Sequence, residues 1–94
     1  MMHNFKIIIS NAAKEDFRNE TAYYKKTLVV SLSKRFSAAV KAALLKIQDS
    51  PTVYSIRYKN IRIVYTKKFP YALHFIIKED AVYIIAIIYS AQYP

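Results

Sequence analysis

The residue pattern predicts an α+β domain in the order β-α-α-β-β-β-β, with a helical hairpin packed on one face of a mostly antiparallel sheet. Two observations carry this. The hydrophobic period is helical through the first half of the chain and switches to two after Pro51. The final third, Ile61 to Pro94, then reads as three consecutive strands joined by short turns. A sheet of consecutive strands needs a cover, and the helical half supplies one.

Taken in order, Phe5 to Ile9 is a short β-branched run and the expected first strand. Ser10 or Asn11 can cap the next helix, with Glu15 and Asp16 in its first turns, where the dipole favours acids. Ala13, Phe17, Tyr24 and Leu28 recur at spacings of four and seven, an amphipathic stripe on a helix of roughly four turns. Thr27 to Ser33 can be a loop or an extension of either helix. From about Ser33 the helical pattern returns and runs to Asp49, with Phe36, Val40, Ala43, Leu44 and Ile47 as its core stripe. Ser50-Pro51 ends it, because the residue before proline is pushed out of the α region.

Beyond Pro51, Val53 to Tyr58 is expected as a strand and Lys59-Asn60 as a two-residue hairpin turn. Ile61 to Lys67 pairs back, Lys68 to Pro70 turns a corner, and Tyr71 to Lys78 forms the next strand. Glu79-Asp80 makes another tight turn before Val82 to Tyr89. That last strand is apolar on both faces, which predicts a central position with both sides at least partly covered.

Composition bounds the function. Ninety-four residues allow one domain, spanning 1–94, and 54% hydrophobic content is enough for a packed core. Fifteen basic residues against six acidic ones give a formal charge of +9, which favours a polyanionic or acidic partner. With no cysteine there is neither a disulfide framework nor a thiolate metal site. No apolar run reaches the roughly 20 residues that cross a bilayer. These features together lead to the expectation of a cytoplasmic protein. The chain has no glycine, which excludes a Gly-rich phosphate loop, a dinucleotide fingerprint and a nucleophile elbow. Turns requiring positive φ must then use Asn, Asp or Lys.

Catalytic chemistry has few candidates. His3 and His74 have no partner in the pattern, no His/Asp/Glu set has metal-ligand spacing, and the acid pairs Glu15-Asp16 and Glu79-Asp80 have structural explanations. No cofactor or metal is expected. The basic residues are more informative. Arg57, Lys59, Arg62, Lys67 and Lys68 lie within twelve residues that contain no acid. On strand parity Arg57 and Lys59 share a face, and the hairpin brings Arg62 near Arg57. Such a set can bind phosphates or an acidic peptide. Tyr54, Tyr58, Tyr65 and Tyr71 interleave with it and are read as packing. Lys34, Arg35, Lys41 and Lys46 are read as a solvated helix face.

Six features in this order also occur together in a known family: IIISNAAKED, Tyr23-Tyr24, Arg35-Phe36, the IQDSP exit, the IRYKNIRIVYTKKFPY hairpin and the closing strand to Pro94. The chain resembles the RelE/ParE superfamily of toxins from bacterial type II toxin–antitoxin modules, closer to the ParE (plasmid stabilisation) branch. The resemblance implies a compact toxin neutralised by a cognate acidic antitoxin. ParE-like members are associated with poisoning DNA gyrase, whereas RelE-like members cleave mRNA on the ribosome. Nuclease members carry a basic residue where this chain has Ala72, and Arg, Lys or His in place of Tyr89-Ser90-Ala91-Gln92. Many ParE-like sequences have His at the position of Tyr89 and Arg near Gln92. Arg62 matches a basic position common to both branches. The expectation is therefore a binding inhibitor of gyrase, with Arg57, Lys59, Arg62, Lys67, Lys68 and Tyr89 binding the target or the antitoxin. The alternatives are a ribosome-dependent nuclease and a non-toxic relative that only binds antitoxin.

Overall fold

The computed structural model describes residues 5–26 and 30–89. Strand β1 (Lys6–Ile9) leads into helices α1 (Asn11–Lys26) and α2 (Val30–Asp49). A single 3-10 turn (Pro51–Val53) follows, then β2 (Ile56–Tyr58), β3 (Ile61–Tyr65), β4 (Tyr71–Lys78) and β5 (Ala81–Tyr89). The five strands form one sheet in the order β1-β5-β4-β3-β2. β1 runs parallel to β5, from Lys6 opposite Ala81 to Ile9 opposite Ile84. All other neighbours are antiparallel.

Both helices pack on one face of the sheet. Ala13, Phe36, Val40, Ala43 and Ile47 from the helices meet Val64, Tyr71, Leu73, Phe75, Val82, Ile84 and Ile87 from the strands. Four of the five residues of the expected α2 stripe are fully in this core, and Leu44 stands half-buried against it. Phe36 is the hub of the aromatic packing. Its ring centroid lies 5.6 Å from Phe17, 5.4 Å from Tyr24, 5.8 Å from Phe69 and 4.8 Å from Tyr71. β5 is central, as its apolar pattern predicts, but only one of its faces meets the helices. Tyr83 and Ile88, on the other face, are half-buried.

The start of α1 joins helix to sheet through hydrogen bonds. Ser10 is the cap, its Oγ accepting from the Ala13 N–H at 3.1 Å. The Ser10 N–H donates to the Ile84 carbonyl at 2.9 Å, and its hydroxyl donates to that of Ile85 at 3.4 Å. Glu15 and Asp16 lie past the first turn of α1. Glu15 pairs with Arg18 at 2.7 Å, and Asp16 reaches across to accept the Ile87 N–H at 3.0 Å. β1 stops at Ile9, opposite Ile84, so Ser10 and Asp16 take over the backbone groups of β5 that the parallel ladder leaves open.

Three boundaries differ from expectation by more than one residue. Helix α2 begins at Val30, so the second half of the ambiguous 27–33 connection is helical, while residues 27–29 lie outside the described residues. The strand expected over Val53 to Tyr58 is only Ile56–Tyr58, preceded by the 3-10 turn. Arg62 explains this: its guanidinium donates to the Thr52 carbonyl at 3.3 Å and the Tyr54 carbonyl at 2.6 Å, holding both out of a ladder. β3 ends at Tyr65 because Thr66 closes the corner, its N–H donating to the Tyr71 carbonyl at 2.9 Å and its hydroxyl to that of Phe69 at 2.5 Å.

Without glycine, the tight turns force ordinary residues into the left-handed region. Among the described residues, Lys59 (φ 50°), Lys68 (φ 71°) and Glu79 (φ 59°) sit there. Two are the lysines that glycine-free turns lead one to expect. Glu79 is of a type outside the expected Asn, Asp and Lys, placed there by the tight β4–β5 connection.

Candidate functional site

The six residues singled out from sequence fall into two groups. Arg57, Lys59 and Arg62 occupy the β2–β3 hairpin at one edge of the sheet, where Ile56 opposes Arg62. Lys67 and Lys68 form the β3–β4 corner at the opposite end of the strands, the end to which Tyr89 belongs through its pairing with Tyr71. β3 separates the groups by roughly 17 Å at a strand rise of about 3.3 Å per residue. Arg57 and Lys59 are exposed. Their shared face is interrupted, because the ladder shifts register between Ile56 and Tyr58 and Lys59 turns left-handed. Arg62 is half-buried, its guanidinium engaged with the Thr52 and Tyr54 carbonyls.

Lys67 and Lys68 gain a neighbour that the sequence pattern did not connect with them. Arg35 of α2 joins them, with Ala38, Ala39 and Phe69, around an open recess of about 510 Å³. Lys46 and Lys67 flank a smaller recess lined by Ala39, Ala42 and Ala43. One side of α2 and the β3–β4 corner therefore make a continuous basic surface over small side chains, a field suited to an acidic partner.

A strongly apolar concavity lies between the helices and the β1–β5 side of the sheet. Ile9, Phe17, Val40, Leu44, Ile84 and Ile87 line a cleft of about 420 Å³. Lys14, Arg18 and Lys41 stand exposed around it. The sequence hides this cleft, since Phe17 and Leu44 read as ordinary core positions. Only the finished packing shows them half-buried.

Among the described residues two titratable groups depart from ordinary behaviour. Burial pushes the Tyr71 hydroxyl well above the usual tyrosine range, reinforced by hydrogen bonds to Glu20 at 2.5 Å and with Tyr24 at 3.3 Å. Burial lowers His74 below the usual histidine value. Its Nδ1 lies 3.1 Å from the Tyr58 hydroxyl on the sheet face away from the helices, an arrangement that suits a neutral ring accepting the phenol proton. No group of three or more potential metal ligands occurs among the described residues, and no helix among them is long and apolar enough to cross a membrane.

The fold has a counterpart of known architecture. A solved structure described as the chromosomal ParDE TA system from P. aeruginosa superimposes with a TM-score of 0.77. The match covers 90% of this chain and 95% of the other, at 14% sequence identity. No relative is found among curated proteins. The family model for the ParE toxin of type II toxin–antitoxin systems, parDE, matches residues 7–94. Spanning β1, the helical hairpin and the whole of the sheet, that match establishes that the chain belongs to the ParE toxin family.

Proposed function

We propose that this ParE-family chain inhibits growth by binding DNA gyrase and is neutralised by an acidic antitoxin segment seated in the α1–α2 cleft. The observation that carries the antitoxin half is the cleft itself: an apolar floor of Phe17, Val40, Leu44 and Ile87 ringed by Lys14, Arg18 and Lys41. An amphipathic segment that folds on binding can bury apolar side chains there and set its carboxylates on the rim cations. The charge of +9 steers such a partner from a distance.

Gyrase is favoured over mRNA as target by the distribution of cations. In-line RNA cleavage needs a base and a cation converging on one phosphate. Here Arg62 is committed to backbone carbonyls, Ala72 is buried, and Tyr89 stands a full strand length from Arg57 and Lys59. The test is expression in a sensitive host, followed by a supercoiling assay with purified gyrase. Growth arrest together with stoichiometric loss of supercoiling is the expected result. Arrest with cleaved ribosome-bound mRNA and normal supercoiling would transfer the function to RNA, and undisturbed growth would leave only antitoxin binding. Leu44→Glu should keep the arrest while abolishing protection by the antitoxin. Full protection of that variant would remove the cleft from the interface.

A further inference from the structure

A second recess, of opposite character to the basic surfaces, opens at the far end of α1. Glu20, Tyr23 and Tyr24 follow at i, i+3 and i+4 and so share one face of the helix. From the sheet, Tyr71 and Tyr89 face each other as cross-strand partners. These five residues line an open recess of about 650 Å³. The rings meet edge to face, with 5.4 Å between Tyr71 and Tyr89 and 5.4 Å between Tyr23 and Tyr24.

The charge arrangement here is unusual for this chain. Among the described residues the one ion pair is Arg18 with Glu15. Glu20 has, among the described residues, no cation within ion-pair reach and is held by a phenol instead. Tyr71 donates to one carboxylate oxygen of Glu20, and a carboxylate can accept about four hydrogen bonds. The high proton affinity of Tyr71 keeps that hydroxyl a donor, so the carboxylate oxygen it meets is fixed in direction. The Glu20–Tyr71 bond would by itself tie α1 to β4. It does not account for the two outer rings, Tyr23 at 61% exposure and Tyr89 at 39%.

We propose that this recess receives the guanidinium group of an arginine side chain presented by a partner protein. The Glu20 carboxylate accepts its N–H donors while the outer rings, Tyr23 and Tyr89, offer ring faces to the cation. A planar guanidinium suits both contacts better than an ammonium, being more weakly hydrated and able to stack. The surrounding positive charge excludes cations that lack such a seat, so the recess selects for geometry as well as charge. This site is independent of the cleft and of the identity of the toxin's target.

The test is an NMR titration of the full-length protein with N-acetyl-arginine amide, following backbone amides and tyrosine ring signals. Saturable shifts confined to Glu20, Tyr23, Tyr24, Tyr71 and Tyr89 are expected. Glu20→Gln, which retains an acceptor for Tyr71, should weaken binding by about tenfold. Tyr23→Ala, at an exposed position outside the core, should weaken it by roughly threefold. N-acetyl-lysine amide should bind more weakly than the arginine probe. Shifts that do not saturate, an unchanged affinity in Glu20→Gln, or equal binding of the lysine probe would overturn the assignment.

Discussion

Replacing Asp16 tests how the helical layer is fastened to the central strand. The Asp16 carboxylate accepts the Ile87 N–H at 3.0 Å, beyond the last β1–β5 pair. A hydrogen bond to a charged acceptor contributes about 1.5–3 kcal/mol, and the partial burial of this one places it near the lower half, at about 2 kcal/mol. Asp16→Ala strands the Ile87 donor, but it also installs a better helix former within α1, which offsets about 0.5 kcal/mol. The net expectation is a loss of about 1.5 kcal/mol from a total on the order of 5–14 kcal/mol for this length. Asp16→Asn keeps an oxygen acceptor without its charge and should lose less than about 1 kcal/mol. Urea denaturation followed by circular dichroism measures the totals, and native-state hydrogen exchange at the Ile87 amide measures the local effect. Equal stabilities for the two variants, with Ile87 still protected, would refute the proposed bridge between α1 and β5.

Other outcomes follow from the same structure. Phe36→Ala empties a fully buried site in contact with four rings and should cost about 4 kcal/mol in urea unfolding; a loss below about 2 kcal/mol would show that the cluster repacks around the gap. Glu79→Gly relieves a left-handed residue and should raise stability by about 0.5 kcal/mol after the added freedom of the unfolded chain is subtracted, read as a higher melting temperature. His74 titrates lower when folded than its ordinary 6.5, so the unfolded chain takes up the proton first. The stabilisation it provides is complete above that value and is lost as pH falls through the folded-state pKa. His74→Gln should flatten the stability profile between pH 7 and pH 5, and an unchanged slope would assign that pH dependence to other groups.

Much of the architecture is legible from local pattern because each strand repeats at two and each helix buries one stripe. Tyr71 to Lys78 appears with its expected ends, and the αα hairpin, the sheet and their packing follow the reading. Val53 shows where local pattern fails. Its β-branched side chain argues for a strand, but Pro51 favours a turn and the distant Arg62 captures the carbonyls that pairing would need. The basic set was legible as chemistry but not as geometry. Position along the chain cannot reveal that Lys67 and Lys68 turn toward Arg35, or that β3 separates them from Arg57 and Lys59. The cleft is harder still, since Phe17 and Leu44 have the spacing of core residues and differ from Phe36 only in what the finished sheet fails to cover. Likewise, Glu20 and Tyr71 are fifty-one positions apart, and only the docking of α1 on the sheet brings them into contact.

The position of β5 has a consequence for synthesis. Among the described strands the last in chain order is a central one, lying between β4 and a β1 whose paired residues precede it by seventy-five positions. At translation rates of about 5–20 residues per second, the nascent chain spends seconds with its helices formed but with no strand joining β1 to the hairpins. The sheet, and with it the cleft and the aromatic recess, can assemble only once β5 has been made. A chain ended at Lys78 should accordingly show helical signal without cooperative unfolding; a sharp transition in that fragment would contradict this order of events. On this account the cleft and the aromatic recess come into being together, in the single late step that inserts β5 between β1 and β4.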